Sequence, residues 1–519
     1  MSGSASLAGL AEGRLTRRRA GLILLAVTLV GLAFRLFAWG HSLIGDELST
    51  LWIVREFGLS ATVSEVSSDA EISPPLYFVL AWFATQLGSA PELVRLPALI
   101  AGTAAIPLSY LLGLRLSGRT AGLAAAAVMA LSPFMVTFST TGRAYSLMVA
   151  MLICSTLAML AAMRSGRAHW WILFALFTSL AMYSHYTAVY FLAAQLAWLL
   201  FVSPSSRIPG VLATGGAVLL YLPWVPSMLD DLDSPTLPIL EAIQGTALSD
   251  KWLGVKQLLA GQPLIDPSNL ALLLVAAGLV VLAVGLVTGA RRKVGIEVSG
   301  PTPRQALALL LLLTFSTAIC EALLALAGTD TFGARNLAAT WAALPVLAGF
   351  AAAVATPALG ITGAVLLLAG LAVGAVKVTD PDSASLDFKS AAAYIDREAA
   401  PGDVIYDATF VSPVPLTSLD AYLPQGRAEF RPRIPSDEPP FLLAAGPAGQ
   451  DQEILDRALD STGNRSLFVL TSREPVESGQ EASLFTEEEG AVLPEGWKIV
   501  GTESFPGHLP LTVTEIRRR

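Results

Sequence analysis

The chain has 519 residues, of which 54% are hydrophobic and 14% charged, and its mean hydropathy is +0.61. Soluble domains carry about 25% charged residues, so this composition excludes an ordinary soluble protein and indicates a membrane protein. The net charge is −8, and no basic stripe interleaved with aromatic residues is found, so we expect no nucleic-acid partner.

Charge divides the chain into two parts. Residues 377–519 hold 24 of the 41 acidic residues but only 13 of the 33 basic ones, whereas apolar stretches recur through the first 376 positions. Many of these stretches reach about 20 residues, the length that crosses a bilayer as a helix. We therefore expect a polytopic α-helical membrane domain at 1–376 and a soluble domain at 377–519.

Basic residues predict the orientation of this membrane domain. "RLTRRRA" precedes the first apolar run and indicates a cytoplasmic N-terminus. The run at 74–87, "PPLYFVLAWFATQL", is too short to cross comfortably, and Tyr77 and Trp82 suit an interfacial helix on the outer face. This interpretation puts 13 of the 20 basic residues of the membrane part inside and 14 of its 17 acidic residues outside. Treating 74–87 as a span would reverse every later loop.

The result is a prediction of about eleven transmembrane helices, with the soluble domain outside a plasma (inner) membrane. Two long outer segments, 41–93 with its interfacial helices and 227–268, are expected to have functional roles. The predicted spans are 20–40, 94–114, 121–138, 144–163, 169–184, 186–203, 208–226, 269–289, 305–326, 337–353 and 357–376.

The soluble part alternates helical and strand-like pieces, which predicts an α/β domain. "LDFKSAAAYIDREA" and "EILDRALD" have helical spacing, while "VIYDATF", "SLFVLTS" and "PLTVTEI" are typical of strands. Between them, "LPQGRAEFRPRIPSDEPPFLLAAGPAGQD" is expected to be irregular. Cys154 and Cys320 lie inside predicted spans and are expected to be packing residues. The four histidines are scattered, so no zinc motif is present, although a divalent cation stays possible.

Asp46 and Glu47, in "IGDELST", follow the first predicted span directly. They are either solvated loop charges or the start of a short amphipathic helix, because the apolar stretch "LSTLWIVREFGL" follows them. A carboxylate partly shielded from water in that position can act as a general base near neutral pH.

Three arginines lie on the predicted outer side. Arg143 is in "FSTTGRAYSL" and Arg335 in "GTDTFGARNL", both at turns between spans. For these two, recognition of a phosphate and simple lipid pairing are equally good interpretations, because a planar guanidinium suits phosphate. For Arg35, near the outer end of the first span, we expect snorkelling or pairing with a lipid phosphate.

Three further polar residues are candidates for a substrate pocket. His185 and Tyr186, in "MYSHYTAV", lie at an outer hairpin, where a hydrogen-bonded packing role is the alternative. Glu321 is the only acidic residue inside a predicted span. Such residues are costly to bury and are functional candidates by default.

The ordered combination of motifs resembles the GT-C superfamily of membrane glycosyltransferases, over roughly residues 20–345. It consists of "GDE" after the first span, "SPPLYFVLAWF", the run from "RLPALIAGTAAIPLSYLLGLRLSGR" to "TTGRAYSL", and "YSHYTAV". The nearest branch is the bacterial protein-mannosyltransferase-like group, which includes aminoarabinose transferases. In the tail, "FKSAAAYIDREAAPGDVIYDA" resembles the extracytoplasmic domains of some members.

The resemblance implies transfer of a sugar from a polyprenyl-phosphate carrier to an acceptor on the outer face, with inversion at the anomeric carbon. The acceptor could be a protein, a lipid or a glycan. Asp46 would be the base that activates it, with Glu47 in support. Arg143 and Arg335 would stabilise the lipid-phosphate leaving group, and Tyr145 and Tyr186 would donate hydrogen bonds. No nucleotide-binding motif is needed, and none is visible.

One position departs from the family pattern. Many relatives carry a second acidic residue near "TTGRAYSL", where this chain has none. Either Glu47, Asp69, Glu71 or an acid of the 227–268 segment takes that role, or one base suffices.

Two other classes of function compete with the transferase. A lipid or amphiphile transporter would favour ionisable residues at mid-membrane and repeated halves with broken helices, and neither pattern is evident. The third class is a non-catalytic cell-envelope scaffold that uses its outer domain for binding.

Overall fold

The computed structural model describes most of the chain. The described residues are 16–68, 71–234, 247–261, 269–290, 301–381, 386–409, 416–423, 428–430, 450–472, 476–478, 481–483, 493–507 and 510–519. Asp69, the predicted cytoplasmic basic cluster at 291–293, and much of the outer segment 227–268 lie outside these residues.

Helices make up most of the described chain. From the N-terminus they are α1 (Arg17–Trp39), α2 (Asp46–Glu56), α3 (Leu59–Val66), α4 (Leu76–Thr85), α5 (Leu96–Ser117), α6 (Arg119–Leu131), α7 (Pro133–Ser139), α8 (Tyr145–Ser165), α9 (Ala168–Ser184) and α10 (Ala188–Val202). They continue with α11 (Arg207–Tyr221), α12 (Val225–Asp230), α13 (Leu248–Ala260), α14 (Asn269–Ala290), α15 (Pro303–Ala327), α16 (Leu344–Val354), α17 (Pro357–Thr379), α18 (Phe388–Glu398) and α19 (Gln450–Thr462). Short 3₁₀ helices at Pro91–Arg95 and Asn336–Ala342 precede α5 and α16.

The helices confirm a polytopic membrane protein. Among the described residues, eight helices are long and apolar enough to cross a bilayer, or nine if the bent pair α6–α7 is one span. Helices α9 and α10 occupy two further predicted spans but have only 17 and 15 residues. Helix α4 is also apolar and has ten residues, too few to cross, as expected for the run at 74–87.

The predicted span 121–138 is broken in the middle. Ser132 caps α7 by accepting a hydrogen bond from the Met135 amide, Pro133 follows it, and α6 and α7 meet at 61°. Proline has no N–H, so the Met129 carbonyl loses its helical donor. The guanidinium of Arg35 donates to the carbonyl oxygens of Met129 (3.4 Å) and Ala130 (3.3 Å) instead.

Arg35 therefore differs from its prediction. Its side chain is fully buried and also donates to the Gly31 carbonyl oxygen at 2.8 Å, so it neither snorkels nor reaches a lipid phosphate. The prediction considered only how deep Arg35 lies in the first span. It did not foresee that the break at Pro133 leaves buried carbonyl groups that need a hydrogen-bond donor, which Arg35 supplies.

Small residues and a buried polar network hold the helices together. A Cβ added to Gly349 of α16 would lie 2.3 Å from the Ala121 carbonyl oxygen of α6, so these backbones touch. Gln195 of α10 accepts from Ser155 (3.2 Å) and donates to Thr156 (3.1 Å), both on α8. Such contacts replace the hydrophobic effect, which gives helices no preference for each other over lipid.

The chain divides into two compact units. The first comprises Met1–Trp39, Val66–Ala84 and Arg95–Thr379, and the second comprises Gly40–Glu65, Thr85–Val94 and Asp380–Arg519. Two segments of the predicted outer loop 41–93 thus group with the C-terminal part. The predicted boundary between residues 376 and 377 stays a prediction.

The second unit is built on a five-stranded mixed sheet, which confirms the α/β prediction. Its strands are β1 (Val404–Asp407), β2 (Ala428–Phe430), β3 (Leu467–Thr471), β6 (Trp497–Phe505) and β7 (Leu511–Arg518), and β4 (Val476–Ser478) pairs separately with β5 (Glu481–Ser483). The order is β2-β1-β3-β7-β6, parallel among the first three and antiparallel beyond β3. Strand β2 lies in the segment that we expected to be irregular.

Alternating side chains of this sheet form two apolar cores. Ile405, Phe468 and Leu470 pack with Phe388 and Ile395 of α18 on one face. On the other face, Val404, Tyr406, Leu467 and Val469 pack with Leu455 and Leu459 of α19. Strands with helices on both faces must be apolar on both sides, which explains the continuous runs "VIY" and "LFVL".

Segment 40–65 is held to the C-terminal residues of the second unit by specific bonds. The Leu43 amide donates to the Tyr422 hydroxyl at 3.0 Å, and the Lys389 amide donates to Ser42 Oγ at 3.0 Å. Lys389 Nζ also pairs with Glu92 at 2.6 Å. The contacts of Leu43 and Ser42 fix the backbone immediately before α2.

Candidate functional site

Arg143 is held by a nearly buried ion pair. It lies in the turn between α7 and α8, and its two terminal nitrogens donate to the two carboxylate oxygens of Glu71 at 2.6 and 2.8 Å. Its Nη2 also donates to Ser73 Oγ at 3.1 Å, and Ser73 donates to Glu71 at 3.2 Å. The two charged side chains are only 11% and 8% exposed. Arg143 thereby connects Glu71 and Ser73, which precede α4, to the start of α8.

Local hydrogen bonds set the turn that carries Arg143. The hydroxyls of Thr140 and Thr141 donate back to the Thr137 carbonyl oxygen at 3.1 and 2.9 Å, and the Arg143 amide donates to the Thr141 carbonyl oxygen. Helix α8 begins two residues later at Tyr145, whose ring packs on Phe138 at 4.5 Å. The sequence "FSTTGRAYSL" therefore folds as a polar turn clamped between two helix ends.

His185 lies beside this turn and is neutral. Burial, and then the positive charges of Arg143 and Arg335, lower the pKa of His185 from 6.5 to about 3. Nδ1 contacts the Thr187 hydroxyl at 3.0 Å and accepts from the Thr187 amide at 3.3 Å, which favours the tautomer with its hydrogen on Nε2. The ring also contacts Tyr145, with 5.1 Å between ring centroids. His185 thus offers a neutral N–H donor close to two cations.

Arg335 is presented by the turn between α15 and the 3₁₀ helix Asn336–Ala342. Lys251 of α13 pairs with Asp330 at 2.6 Å and donates to the Phe332 carbonyl oxygen at 3.1 Å. The Thr331 hydroxyl donates to the buried carboxylate of Glu321 at 2.8 Å. Glu321 and Lys251 therefore anchor the turn from two sides, and Arg335 follows these anchors within a few residues.

Tyr186 makes a polar chain with a residue of the outer segment 227–268. Its hydroxyl donates to Asp231, and Trp224 Nε1 donates to the same hydroxyl at 3.1 Å. Burial, and then the hydrogen bond to Asp231, raise the pKa of Tyr186 well above its usual value. Asp231 and Trp224 are themselves buried.

Asp46 and Glu47 belong to the second unit and begin α2. Gly45 precedes them with φ of +54°, a left-handed conformation that favours glycine. The helix dipole favours negative charge at these first positions. Glu47 is buried, whereas Asp46 is partly exposed. The expected helix start at the carboxylate pair is confirmed.

The first unit gathers most of the predicted site residues. The Tyr145 ring contacts His185, and the charges of Arg143 and Arg335 both act on His185. Tyr186 directly follows His185, and Glu321 anchors the turn of Arg335. Residues that sequence reasoning did not assign are Ser73, Trp224 and Lys251, while Glu71 and the acids of 227–268 were only alternatives. Among the described residues, no three His, Cys, Asp or Glu side chains lie close enough to hold a metal ion.

Part of the chain matches a known protein family. Residues 73–226, which include Arg143, Tyr145, His185 and Tyr186, match the family model of dolichyl-phosphate-mannose-protein mannosyltransferases. No curated protein matches the chain.

Two solved structures are similar over most of the chain. The archaeal oligosaccharyltransferase AglB from Archaeoglobus fulgidus, in complex with an inhibitory peptide and a dolichol-phosphate, has a TM-score of 0.51 at 11% identity, covering 88% of this chain and 70% of that one. ArnT from Cupriavidus metallidurans bound to undecaprenyl phosphate has a TM-score of 0.49 at 12% identity, covering 92% and 98%. The predicted resemblance is confirmed at the level of the fold: the chain shares its fold with AglB, and residues 73–226 resemble the dolichyl-phosphate-mannose-protein mannosyltransferases.

Proposed function

We propose that the chain is an inverting glycosyltransferase that moves a sugar from a polyprenyl-phosphate carrier to an acceptor on the extracytoplasmic face of the plasma membrane. One observation carries the proposal. Arg143 and Arg335, from turns far apart in sequence, bring their charges to one neutral histidine, and residues 73–226 match the dolichyl-phosphate-mannose-protein mannosyltransferases. A cluster of cations around a neutral donor suits a phosphodiester that becomes a phosphate leaving group.

The reaction assigns a role to each group. The acceptor nucleophile attacks the anomeric carbon as the bond from that carbon to the phosphate oxygen breaks, and the bonding electrons leave with the lipid phosphate. Arg143 and Arg335 stabilise the charge that develops there, because guanidinium groups bind phosphate through paired hydrogen bonds. The Nε2–H of His185 donates a further hydrogen bond, and Tyr145 supports the His185 ring.

Asp46 is the base in this scheme and takes the proton from the acceptor. Its place at the first turn of α2 favours the ionised form, which a base requires. Glu47 supports it. The substrate-binding residues of the proposal are His185, Tyr186 and Glu321, and hydrogen bonds from Tyr186 to Asp231 and from Thr331 to Glu321 hold two of these side chains.

Transfer from radiolabelled polyprenyl-phosphate sugars in membranes tests the proposal. A panel with mannose, arabinose and glucose as the sugar is needed, because the pocket chemistry is shared among them. Wild type is expected to transfer label from at least one donor and to release polyprenyl phosphate. The Asp46→Asn variant is expected to lose about 10²- to 10⁴-fold in rate, the usual contribution of a general base.

A matched control is Asp387→Asn, which changes another carboxylate at a helix start of the second unit. Asp387 caps α18 by accepting from the Ser390 amide, and asparagine caps equally well, so this variant should keep its activity. Undiminished transfer by Asp46→Asn would remove the base assignment. Absence of transfer from every donor by wild type would favour a transporter or a scaffold.

A further inference from the structure

Glu71 forms a contact with Arg143 that resembles the contact expected of a ligand. Both carboxylate oxygens face both terminal nitrogens of the guanidinium, at 2.6 and 2.8 Å, and the pair is almost completely shielded from water. Such two-point pairing is the arrangement in which arginine binds either a carboxylate or a phosphate. The fork of Arg143 is therefore already occupied by an anion supplied by the chain itself.

A second anion cannot share this fork at low energy. A phosphodiester that binds Arg143 while Glu71 stays ionised would place two negative charges at hydrogen-bond distance in a poorly hydrated site. Like charges in such a position disfavour each other's ionised forms strongly. Arginine cannot lose its proton to resolve the conflict. Departure of one of the two anions from the guanidinium removes this repulsion.

We propose that Glu71 occupies the donor phosphate subsite on Arg143, and that the phosphodiester of a prenyl-linked donor binds by replacing it. This inference rests on the proposed function for the identity of the donor. It adds that the donor phosphate binds Arg143 and that Glu71 competes with it for that arginine. Glu71 is a positioning residue here, because it acts through Arg143 and does not touch the donor.

Ser73 bonds to both members of the ion pair and can keep a hydrogen bond to Arg143 during the exchange. Its hydroxyl contacts both partners, accepting from Arg143 at 3.1 Å and donating to Glu71 at 3.2 Å. When Glu71 leaves, Ser73 can stay on the guanidinium while its hydrogen turns to the incoming phosphate oxygen. The Phe78 ring lies 5.8 Å from the guanidinium carbon and keeps the arginine in place.

The ion pair also brings an acid to "TTGRAYSL", which has none of its own. Glu71 is bound to that turn in space although it comes from another part of the chain. Once phosphate has replaced it, its carboxylate is released beside the donor site.

Binding of a synthetic prenyl methyl phosphodiester to the purified full-length protein tests this inference, because that probe is an anion without a transferable sugar. Glu71→Gln keeps the size and one hydrogen-bond acceptor but removes the competing charge. We expect it to bind the phosphodiester at least about tenfold more tightly than wild type, since a neighbouring like charge is commonly worth one pKa unit or more. A prenyl alcohol of equal length, which lacks the phosphate, should bind both proteins equally.

Two further variants make the test specific. Glu92→Gln removes a carboxylate from the buried partner of another ion pair, with Lys389, and should bind the probe as wild type does. In an Arg143→Gln background, Glu71→Gln should give no further gain, because the two residues act on the same phosphate. Unchanged or weaker binding by a folded Glu71→Gln variant, or a gain that persists without Arg143, would overturn the inference.

A measurement on wild type covers the case in which Glu71→Gln does not fold. Infrared difference spectra with the phosphodiester should show a carboxylate band that shifts as a glutamate leaves a guanidinium, and Arg143→Gln should lack it. No shift in wild type at saturating probe would overturn the exchange. Sugar transfer is scored separately. If wild type transfers no sugar but Glu71→Gln binds the phosphodiester more tightly, the proposed function fails and the phosphate subsite stands. If wild type transfers sugar but Glu71→Gln binds no more tightly, only the exchange is overturned.

Discussion

The imidazole of His185 shows how the surroundings of one residue select its chemistry. Burial and two nearby arginines oppose its protonation, and the Thr187 amide fixes its tautomer. A charged histidine would repel both arginines. A neutral one adds a hydrogen-bond donor without adding a charge that would repel the two arginines.

The depressed pKa of His185 predicts acid sensitivity. The unfolded chain takes up this proton near pH 6.5, but the folded protein does so only near pH 3. Acid therefore favours the unfolded state between these values, and the contribution of His185 to stability, complete above pH 6.5, is lost as the pH falls toward 3. The unfolding midpoint of wild type in detergent should drop more steeply between pH 7 and pH 4.5 than that of His185→Gln.

His169→Gln is the matched control for this measurement, because His169 is an exposed histidine at the start of α9. It should follow the wild-type curve. Parallel curves for wild type and His185→Gln would mean that His185 is protonated as easily in the folded protein as in the unfolded chain.

Sequence reasoning could select Arg143, Arg335 and His185 because each lies in a polar turn between apolar runs. It could not pair Arg143 with Glu71. That contact joins the segment before α4 to the start of α8, and no local pattern records it. Asp231 was hidden for the same reason: several acids cluster after "YLPW", and only the fold shows which one meets Tyr186.

Among the elements, the long apolar helices were predictable since about 20 apolar residues have few alternatives in a bilayer. The break between α6 and α7 was not predicted, although "LSPF" contains its signal, a serine cap followed by proline. Strand β6 was also missed, because its exposed edge position leaves it with a mostly polar, weakly alternating sequence, "WKIVGTESF".

Close helix packing gives a prediction at the scale of elements. An alanine at Gly349 would drive its Cβ to 2.3 Å from the Ala121 carbonyl oxygen, so α16 and α6 must move apart. We expect Gly349→Ala to lose about 1–3 kcal/mol in the free energy of unfolding, the usual cost of overpacking. Thermal or denaturant unfolding in detergent measures it.

Gly215 of α11 provides the control for this substitution. It is exposed, and nothing lies within 4 Å of an added Cβ. Gly215→Ala should therefore be neutral or stabilising by up to about 1 kcal/mol, because alanine favours helix more than glycine does. Equal losses in both variants would show that α16 and α6 are not in backbone contact.

For the whole molecule, the number of crossings decides on which side of the membrane the chain continues after α17. Within the described ranges there are nine spans when α6–α7 is counted as one, which is an odd number, and adding α9 and α10 as a hairpin gives eleven, also odd. The two short helices therefore do not affect the side of any other segment. The bent pair α6–α7 does affect it. If this pair does not cross the membrane, the number of crossings is even, and the C-terminal residues lie on the same side as the N-terminus.

Cysteine labelling in spheroplasts tests this orientation. In a background with Cys154 and Cys320 replaced by alanine, a membrane-impermeant maleimide should label Asp460→Cys in α19 and Thr329→Cys after α15, both at exposed positions. Ser165→Cys and Ser205→Cys, exposed in turns beside Arg164 and Arg207, should react only after permeabilisation, because basic turns stay in the cytoplasm. If the first two were protected and the last two labelled in intact spheroplasts, the orientation would be reversed. The site of Arg143 would then face the cytoplasm, where nucleotide-linked donors are available, and an extracytoplasmic transfer reaction would be excluded.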